Sequence, residues 1–181
     1  TQAVLSSSGS RTYDATTTAA AADQTLSGLI NSETLTLSGS GTVTSADVGT
    51  SKTITVGSLA LSDGTGTASN YTITGGTHTL DVTQAVLSSS GSRTYDATTT
   101  AAAADQTLSG LQNSETLTLS GSGTVTSADV GTSKTVTVGS LALSDGTGTA
   151  SNYTITGGTH TLDITQAVLS SSGSRTYDAT T

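Results

Sequence analysis

The sequence predicts an all-β protein made of tandem modules, and three observations lead to this prediction. The stretch Thr1–Leu5 recurs from Thr83 and again from Thr165, so the 181-residue chain has a period of 82 residues. Short alternations of aliphatic and hydroxyl residues, each closed by a glycine-rich turn signal, are typical of half-buried strands. The hydrophobic fraction is 32 %, and Pro, Cys, Met, Trp and Phe are absent, so each module can build only a thin aliphatic core.

The strands are predicted in the same order in each copy. Leu35 and Leu37 alternate with threonines, and the pattern resumes at Thr42–Thr44 after Gly39-Ser40-Gly41, which predicts a hairpin. Further strands are predicted at Lys52–Val56, Leu59–Leu61, Tyr71–Ile73 and His78–Val82. The residues expected to point inward are Leu35, Leu37, Ile54, Val56, Leu61, Tyr71, Ile73 and Leu80, with their equivalents in the second copy. About seven strands in each period favour small β-sandwiches, Ig-like or of a related Greek-key or open-barrel kind.

The predicted modules cover residues 1–83 and 84–165, and residues 166–181 are the first-strand region of a truncated third module. Only Gln84 and Ala85 separate the last strand of one copy from the first strand of the next. Because this joint has no Gly/Ser or Pro spacer, we expect an elongated, stiff array. If the third region is ordered, its backbone must pair with the preceding module's open edge or with a neighbouring chain.

Composition argues against several classes of partner and activity. The formal charge is −8 and the five cations are scattered, so no nucleic-acid partner is expected, and no apolar run is long enough for a membrane span. Each copy has one histidine, His78 or His160, and no cysteine, so we expect no enzyme, no catalytic residues and no transition-metal site. No cofactor is expected, although carboxylates at the module junctions leave calcium open.

Five motifs stand in a fixed order in each copy: Arg11–Thr17, Leu26–Leu29, Asp47–Thr50, Leu59–Ser62 and Ser69–Ile73. In this order and spacing they resemble the YDG-type repeat, related to MBG-type domains, of large bacterial adhesins and filamentous-haemagglutinin-like surface proteins. The resemblance implies a structural stalk or fibre repeat of a secreted adhesin or biofilm-matrix protein, located at the bacterial cell surface or in the matrix. It also implies neighbouring copies of the repeat, in the same or adjacent chains, as partners, with extracellular polysaccharide as a further one.

The family-motif residues are expected to be structural: Arg11, Tyr13, Asp14, Gly49, Asn70 and Tyr71, and in the second copy Arg93, Tyr95, Asp96, Gly131, Asn152 and Tyr153. Tyr13 and Tyr71 are interpreted as rings at the core edge with their hydroxyls at the rim, and a sugar-stacking platform is the alternative. Arg11 and Asp14 are expected to pair or to cap a turn, and Asn70 to form a turn. The family's Gly after Tyr-Asp is replaced by Ala15, Ala97 and Ala179, so a left-handed backbone is not expected there.

A second function remains open at this point. Thr-x-Thr strands offer a hydroxyl-rich face that could bind glycan or ice, which would make the chain a ligand-binding module. Threonines on the solvated face of ordinary strands give the same pattern. The structural repeat and the binding module therefore differ in what these threonine faces contact.

Overall fold

The computed structural model describes residues 1–177, and the all-β prediction is confirmed. The first copy has ten strands: β1 (Ala3–Val4), β2 (Ser6–Thr12), β3 (Thr18–Ala20), β4 (Gln24–Ser27), β5 (Leu35–Ser38), β6 (Ser40–Thr42), β7 (Gly49–Thr53), β8 (Ala60–Asp63), β9 (Tyr71–Thr72) and β10 (His78–Thr83). The second copy repeats them as β11 (Ala85–Val86), β12 (Ser88–Thr94), β13 (Thr100–Ala102), β14 (Gln106–Ser109), β15 (Leu117–Ser120), β16 (Ser122–Thr124), β17 (Gly131–Thr135), β18 (Ala142–Asp145), β19 (Tyr153–Thr154) and β20 (His160–Thr165). Short 3₁₀ turns occupy Ala21–Asp23, Ala68–Asn70, Ala103–Asp105 and Ala150–Asn152.

The central sheet of each copy joins its first long strand to its last. In the first copy its order is β4-β2-β10-β7, and β10 runs parallel to β2, with His78 beside Ser7 and Thr83 beside Thr12. The flanking strands β4 and β7 are antiparallel to their neighbours. The remaining strands form the pairs β1–β9, β3–β6 and β5–β8. Every strand pair joins two segments of the same copy, and the second copy repeats the pattern.

The hairpin predicted around Gly39-Ser40-Gly41 is wrong. β5 pairs with β8, whereas β6 pairs with β3, so the chain passes from one strand pair to another without folding back on itself. Gly39 has φ 79°, and a Cβ there would lie 2.2 Å from the carbonyl oxygen of Ser58. Gly39 therefore allows two backbone segments to approach closely. In the sequence pattern, a glycine with this role looks the same as a glycine in a turn.

The core is only partly the one predicted. Ile54, Tyr71, Ile73 and Leu80 are buried. The other four predicted positions, Leu35, Leu37, Val56 and Leu61, are half-buried and pack against the core. Leu35, Leu37 and Leu61 belong to the two-stranded pair β5–β8, which leaves them closer to solvent than the central sheet leaves Leu80.

The opening strands of a module pair within that module. Ala85–Val86 lies parallel to Tyr153–Thr154, and Ser88–Thr94 lies between β14 and β20. Residues 166–177 repeat the sequence of residues 2–13 but lie in no strand, and Val168 and Leu169 are both 93 % exposed. The pairing with the preceding module's edge that we considered for this region is therefore not observed for residues 166–177. Residues 178–181 of the predicted third region, including Ala179, lie outside the described residues.

The backbone expectation for the alanine after Tyr-Asp is wrong. Ala15 has φ 59° and Ala97 has φ 62°, so both adopt the left-handed conformation. The turn that closes after β2 imposes this conformation, because the Asp14 carboxylate accepts hydrogen bonds from both the backbone N–H and the hydroxyl of Thr16, each 2.9 Å long. The turn's hydrogen bonds outweigh the alanine's local preference.

Replacing the exposed Ala97 with glycine should raise the free energy of unfolding. Relief of the left-handed strain should raise the free energy of unfolding by about 1–2 kcal/mol. The extra freedom of glycine in the unfolded chain lowers it by about 0.5–1 kcal/mol, so we expect a net increase of about 0.5–1 kcal/mol. Urea denaturation followed by circular dichroism measures it. The matched control is Ala102→Gly, at φ −69°, which should destabilise the protein. A loss of stability in Ala97→Gly would contradict the assignment of strain.

Candidate functional site

Three of the sequence motifs meet where the two copies touch. Tyr13 of the first motif and Asp47-Val48 of the third lie on the first copy, and Asn152-Tyr153 of the last motif lies on the second. Glu115, which belongs to none of the motifs, bonds Tyr13 and Tyr153. We call this set the junction: Tyr13, Asp47 and Val48 from the first copy, with Glu115, Asn152 and Tyr153 from the second.

The Glu115 carboxylate links the two copies. The Tyr13 hydroxyl donates a hydrogen bond to Glu115 Oε1 at 2.8 Å, and the Tyr153 hydroxyl donates to Glu115 Oε2 at 2.5 Å. The two tyrosine rings pack edge to face, with centroids 5.3 Å apart and planes at 77°. Hydrogen bonds to a charged acceptor are stronger than those between neutral groups, so the Tyr13 hydrogen bond and the ring contact, which both cross between the copies, favour one orientation of the copies. The Tyr153 hydrogen bond lies within the second copy and holds the carboxylate in place.

Glu115 is held in place by a strained turn. Asn113 and Ser114, which precede it, have φ values of 46° and 58°. The backbone N–H of Gln112 donates to the Tyr153 hydroxyl at 3.0 Å, so this phenol both supports the turn and contacts its carboxylate. Gly148 leaves room for the side chain, because a Cβ there would lie 2.6 Å from Glu115 Oε2. Strained backbone that the surrounding contacts maintain is typical of functional positions.

Asn152 forms the second contact between the copies. Its Oδ1 accepts a hydrogen bond from the Val48 backbone N–H at 2.9 Å, and its Nδ2 donates to Asp47 Oδ1 at 2.9 Å. The residue ends the 3₁₀ turn Ala150–Asn152 and is only 1 % exposed. Both ends of the amide are therefore satisfied by two successive residues of the other copy, which makes the contact directional.

Each side of the junction occurs once more in the chain, and within residues 1–177 the equivalent side chains of Tyr95 and Asn70 make no hydrogen bond to another copy. Tyr13 is 4 % exposed, whereas its equivalent Tyr95 is 41 % exposed. Asn152 is buried, whereas Asn70 is exposed. Since these positions have the same neighbours within their own copies, the difference in burial comes from docking of the second copy.

The junction changes the acidity of its tyrosines. Burial, together with the hydrogen bond to and the negative charge of Glu115, raises the pKa of Tyr13 to about 12. The same causes, in the same order, raise the pKa of Tyr153. In both cases the neutral phenol is favoured, because only the protonated hydroxyl can donate to the carboxylate.

The remaining motif residues stabilise their own copy. Arg11 forms an ion pair with Asp14 and donates to the Thr16 carbonyl. Partial burial pushes the pKa of the Asp14 carboxyl upward, but hydrogen bonds from Thr16 and Arg11 outweigh it and lower that pKa. The pair Arg93–Asp96 repeats the arrangement. Gly49 and Gly131 open strands β7 and β17, where a Cβ would meet only a lysine side chain, at ordinary contact distance.

Tyr71 and Tyr153 are buried at the core edge, and their hydroxyls donate hydrogen bonds to Glu33 and Glu115. For Tyr71 this hydrogen bond is the main cause that raises its pKa. Tyr13 differs, because the ring that covers it belongs to the next copy. At the junction, Tyr153 therefore holds Glu115 within its own copy, whereas Tyr13 contacts Glu115 from the neighbouring copy.

The histidines lie inside the modules. The Nδ1 of His78 is 2.9 Å from Ser7 Oγ, and its Nε2 is 2.8 Å from the carbonyl oxygen of Ile73. His160 repeats these contacts with Ser89 and Ile155. Within residues 1–177 no three His, Cys, Asp or Glu side chains gather to hold a metal ion. That part of the chain also has no helix long and apolar enough to cross a membrane.

Sequence reasoning did not find Glu115 or the role of Asp47 and Val48. One signal was present, since Glu33 and Glu115 are the only glutamates in the chain. The contacts themselves join residues more than 100 positions apart, which no local pattern reports. The threonine faces considered for ligand binding are divided among three separate sheets of the first copy.

Replacing Asn152 with alanine should open the junction. The Val48 N–H would lose its acceptor, and an unpaired buried donor costs about 1–3 kcal/mol, so its exchange with solvent should become faster by tenfold or more. Hydrogen exchange followed by NMR measures this rate. Asn70→Ala is the matched control, because Asn70 is the same residue without a partner copy. Unchanged protection of Val48 in Asn152→Ala, or equal loss in the control, would contradict the assignment.

Alkaline pH should also open the junction. The docked pKa of Tyr13, about 12, lies above its ordinary value of about 10. Its contribution to docking is therefore complete below pH ~10 and is lost as the pH rises from ~10 through ~12. The absorbance of the ionised tyrosines is titrated in the wild type and in Tyr13→Phe. The difference between the two titration curves isolates Tyr13. In an Asn152→Ala background the Tyr13 midpoint should fall toward 10, and an unshifted midpoint there would show that docking does not cause the rise.

Comparison with known proteins gives a family. A YDG domain model matches residues 1–80 and again residues 77–162, one match for each copy. No curated protein matches the chain, and no solved structure matches it. Because the two matches together span most of the 181 residues, the chain belongs to the YDG domain family and carries two successive copies of the domain.

Proposed function

We propose that this chain is a structural segment of a secreted bacterial surface adhesin or biofilm-matrix protein, in which YDG modules stack end to end to project or build an extracellular fibre. The proposal assigns it a mechanical role and no enzymatic one. The observation that carries it is the pair of hydrogen bonds through which Glu115 joins Tyr13 of one copy to Tyr153 of the next. A contact of this kind resists bending between modules, which a stalk requires.

The direction of the strands supports a linear array. Because β10 is parallel to β2, the end of the module at Thr83 lies beside Thr12, far from Thr1. At about 3.3 Å per residue, the chain advances roughly 35 Å along the strand direction between the start of one module and the start of the next. Each module therefore begins where the preceding one ends, and repetition of this step extends the molecule.

We further propose that each module is a small β-sandwich. The buried side chains of the central sheet, such as Leu80 and Val82, belong to one hydrophobic cluster with residues of the outer strand pairs, such as Ala19 on β3. Two layers that share a core are the expected arrangement for strands with one apolar face. A sandwich with its strands along the array would transmit tension through hydrogen-bonded strands.

The surface supports an extracellular location. Charged residues make up 10 % of the chain and the net charge is −8, so the exposed positions are dominated by Ser, Thr and Gly. A chain without cysteine cannot form disulfides in an oxidising environment. Such a surface is hydrated and chemically inert, which suits material that separates a binding tip from a cell.

The stiffness of the joint can be measured by small-angle X-ray scattering on dilute protein. We expect a single elongated shape with about 35 Å per module. The double variant Tyr13→Ala/Asn152→Ala should require a broad ensemble of bent shapes, because both links between the copies are removed. Tyr95→Ala/Asn70→Ala makes the same two substitutions at undocked positions and should match the wild type. A wild-type profile that itself requires a broad ensemble would overturn the proposal.

A further inference from the structure

A cluster of three side chains inside each module takes no part in the junction. Ser7 on β2, Gln24 on β4 and His78 on β10 meet across three neighbouring strands of the central sheet. Ser7 is 3 % exposed and His78 is 4 % exposed. The second copy repeats the cluster with Ser89, Gln106 and His160. A hydroxyl, an imidazole and a carboxamide therefore lie together in each module, where little water reaches them.

The histidine is oriented as a base toward the serine. His78 Nε2 lies 2.8 Å from the carbonyl oxygen of Ile73, which can only accept a hydrogen bond, so this nitrogen carries the proton. In the neutral ring Nδ1 then has a free lone pair, and it lies 2.9 Å from Ser7 Oγ. A nucleophile, a base and a third group that orients the base form the arrangement that activates a hydroxyl for acyl transfer.

The group that faces the serine on its other side is a carboxamide. Ser7 Oγ lies 2.9 Å from Gln24 Oε1, and the carbonyl carbon is one bond of about 1.2 Å from that oxygen, so it lies within about 4 Å of the hydroxyl. Attack requires about 3–3.5 Å, which a shift of roughly 1 Å supplies. The equivalent pair, Ser89 and Gln106, is closer, at 2.7 Å. The two groups are therefore near the geometry for reaction in both copies.

The packing around Gln24 favours its reaction. Gln24 pairs across the strands with Gly9, and a Cβ there would lie 3.1 Å from Gln24 Nε2, so the glycine leaves room for the carboxamide to reach Ser7. Among residues 1–177 this Nε2 is buried and has no hydrogen-bond partner. In the second copy the Gln106 amide donates to the Thr161 carbonyl at 3.2 Å. A buried donor without a partner is costly, and loss of the Gln24 nitrogen would remove that cost.

We propose that Ser7 and Gln24 form an ester bond within the module, with His78 as the general base, and that the second copy does the same. Ser7 Oγ attacks the carbonyl carbon of Gln24 while His78 Nδ1 takes the hydroxyl proton. The tetrahedral intermediate then expels its nitrogen, which receives this proton and leaves as ammonia. One C–O bond forms and one C–N bond breaks, so the step needs no oxidant, reductant or other reactant.

The cross-link goes beyond the proposed function, because it lies inside each module and the junction does not depend on it. The reaction occurs once in each copy and has no external substrate, so slow chemistry is sufficient. Burial of the cluster protects the ester from hydrolysis. The bond ties β2 to β4, so these two strands cannot separate when the module is pulled or locally unfolds.

Mass spectrometry of the denatured full chain tests the proposal. Each ester removes one ammonia, about 17 Da, so the wild type should weigh about 34 Da less than its sequence. Ser7→Ala should keep only the deficit of the second copy, and Ser7→Ala/Ser89→Ala should have none. Ser8→Ala, at an exposed neighbouring serine, is the matched control and should keep both. His78→Gln should lose the deficit of the first copy, because a general base accelerates such steps about 10²–10⁴-fold.

Trypsin locates the bond. Cleavage after Arg11 separates Ser7 from Gln24, so the peptides 1–11 and 12–52 should stay joined in the digest of the wild type. Hydroxylamine cleaves esters and spares peptide bonds, so it should separate the two peptides and leave a hydroxamate at position 24. The equivalent cleavage after Arg93 provides the same test for the second copy.

A wild type that has the full mass of its sequence and yields separate peptides would overturn the inference. A deficit located at Asn31 or Asn113 would also overturn it, because cyclisation of asparagine releases ammonia as well. The digest of the wild type decides the matter even where a variant fails to fold. Neither result affects the proposed function, which depends on the scattering of the wild type and the junction variants.

Discussion

A carboxylate that is partly withdrawn from water needs hydrogen-bond donors for its oxygens, and the half-buried Glu115 has this need at the junction. Tyr153, from the same copy, satisfies one oxygen of Glu115 and is present whether or not the neighbouring copy docks. Tyr13 satisfies the other, and only docking brings it there. The acceptor is therefore half-satisfied and held ready before contact. Hydrogen bonds to charged groups contribute about 1.5–3 kcal/mol each, enough for a small surface to select one orientation.

The topology of the module places the two halves of the junction at opposite ends. β2 runs directly into Tyr13, and β10, parallel to it, runs into the linker at Gln84, so the docking tyrosine and the covalent connection leave the module at the same end. Antiparallel pairing of the first and last strands would return the chain to its starting end. The parallel pair therefore converts a repeated sequence into an advancing structure, and the hydrogen bonds of the junction then fix the angle of each step.

The features that could be predicted from the sequence are those determined by local patterns. The 82-residue period and the alternation of aliphatic and hydroxyl residues gave the all-β class. The false hairpin at Gly39 and the left-handed Ala15 depend on groups that a local pattern does not reveal, the Ser58 carbonyl in one case and the hydrogen-bonded Asp14 turn in the other. The junction could not be predicted from a local pattern, because its contacts are made between copies. The sequence of one copy indicates only polar residues at the rim of the module.

Because successive copies dock in the same way, every copy must carry both halves of the same contact. The differences between the two full copies leave the side chains of both halves unchanged. Two of them, Ile54/Val136 and Val82/Ile164, are buried, and one methylene removed at the first position is restored at the second. Such exchanges keep the core volume and are well tolerated.

The third difference, Ile30/Gln112, lies beside the junction and contributes to it through its backbone N–H, which bonds the tyrosine hydroxyl in both copies. A backbone donor is present whatever the side chain, so this position can vary without loss of the contact. The junction side chains themselves are the same in both copies. Since a change in one half would require a matching change in the other half of the neighbouring copy, substitutions there are constrained in pairs, and the array can extend only while each copy keeps both halves.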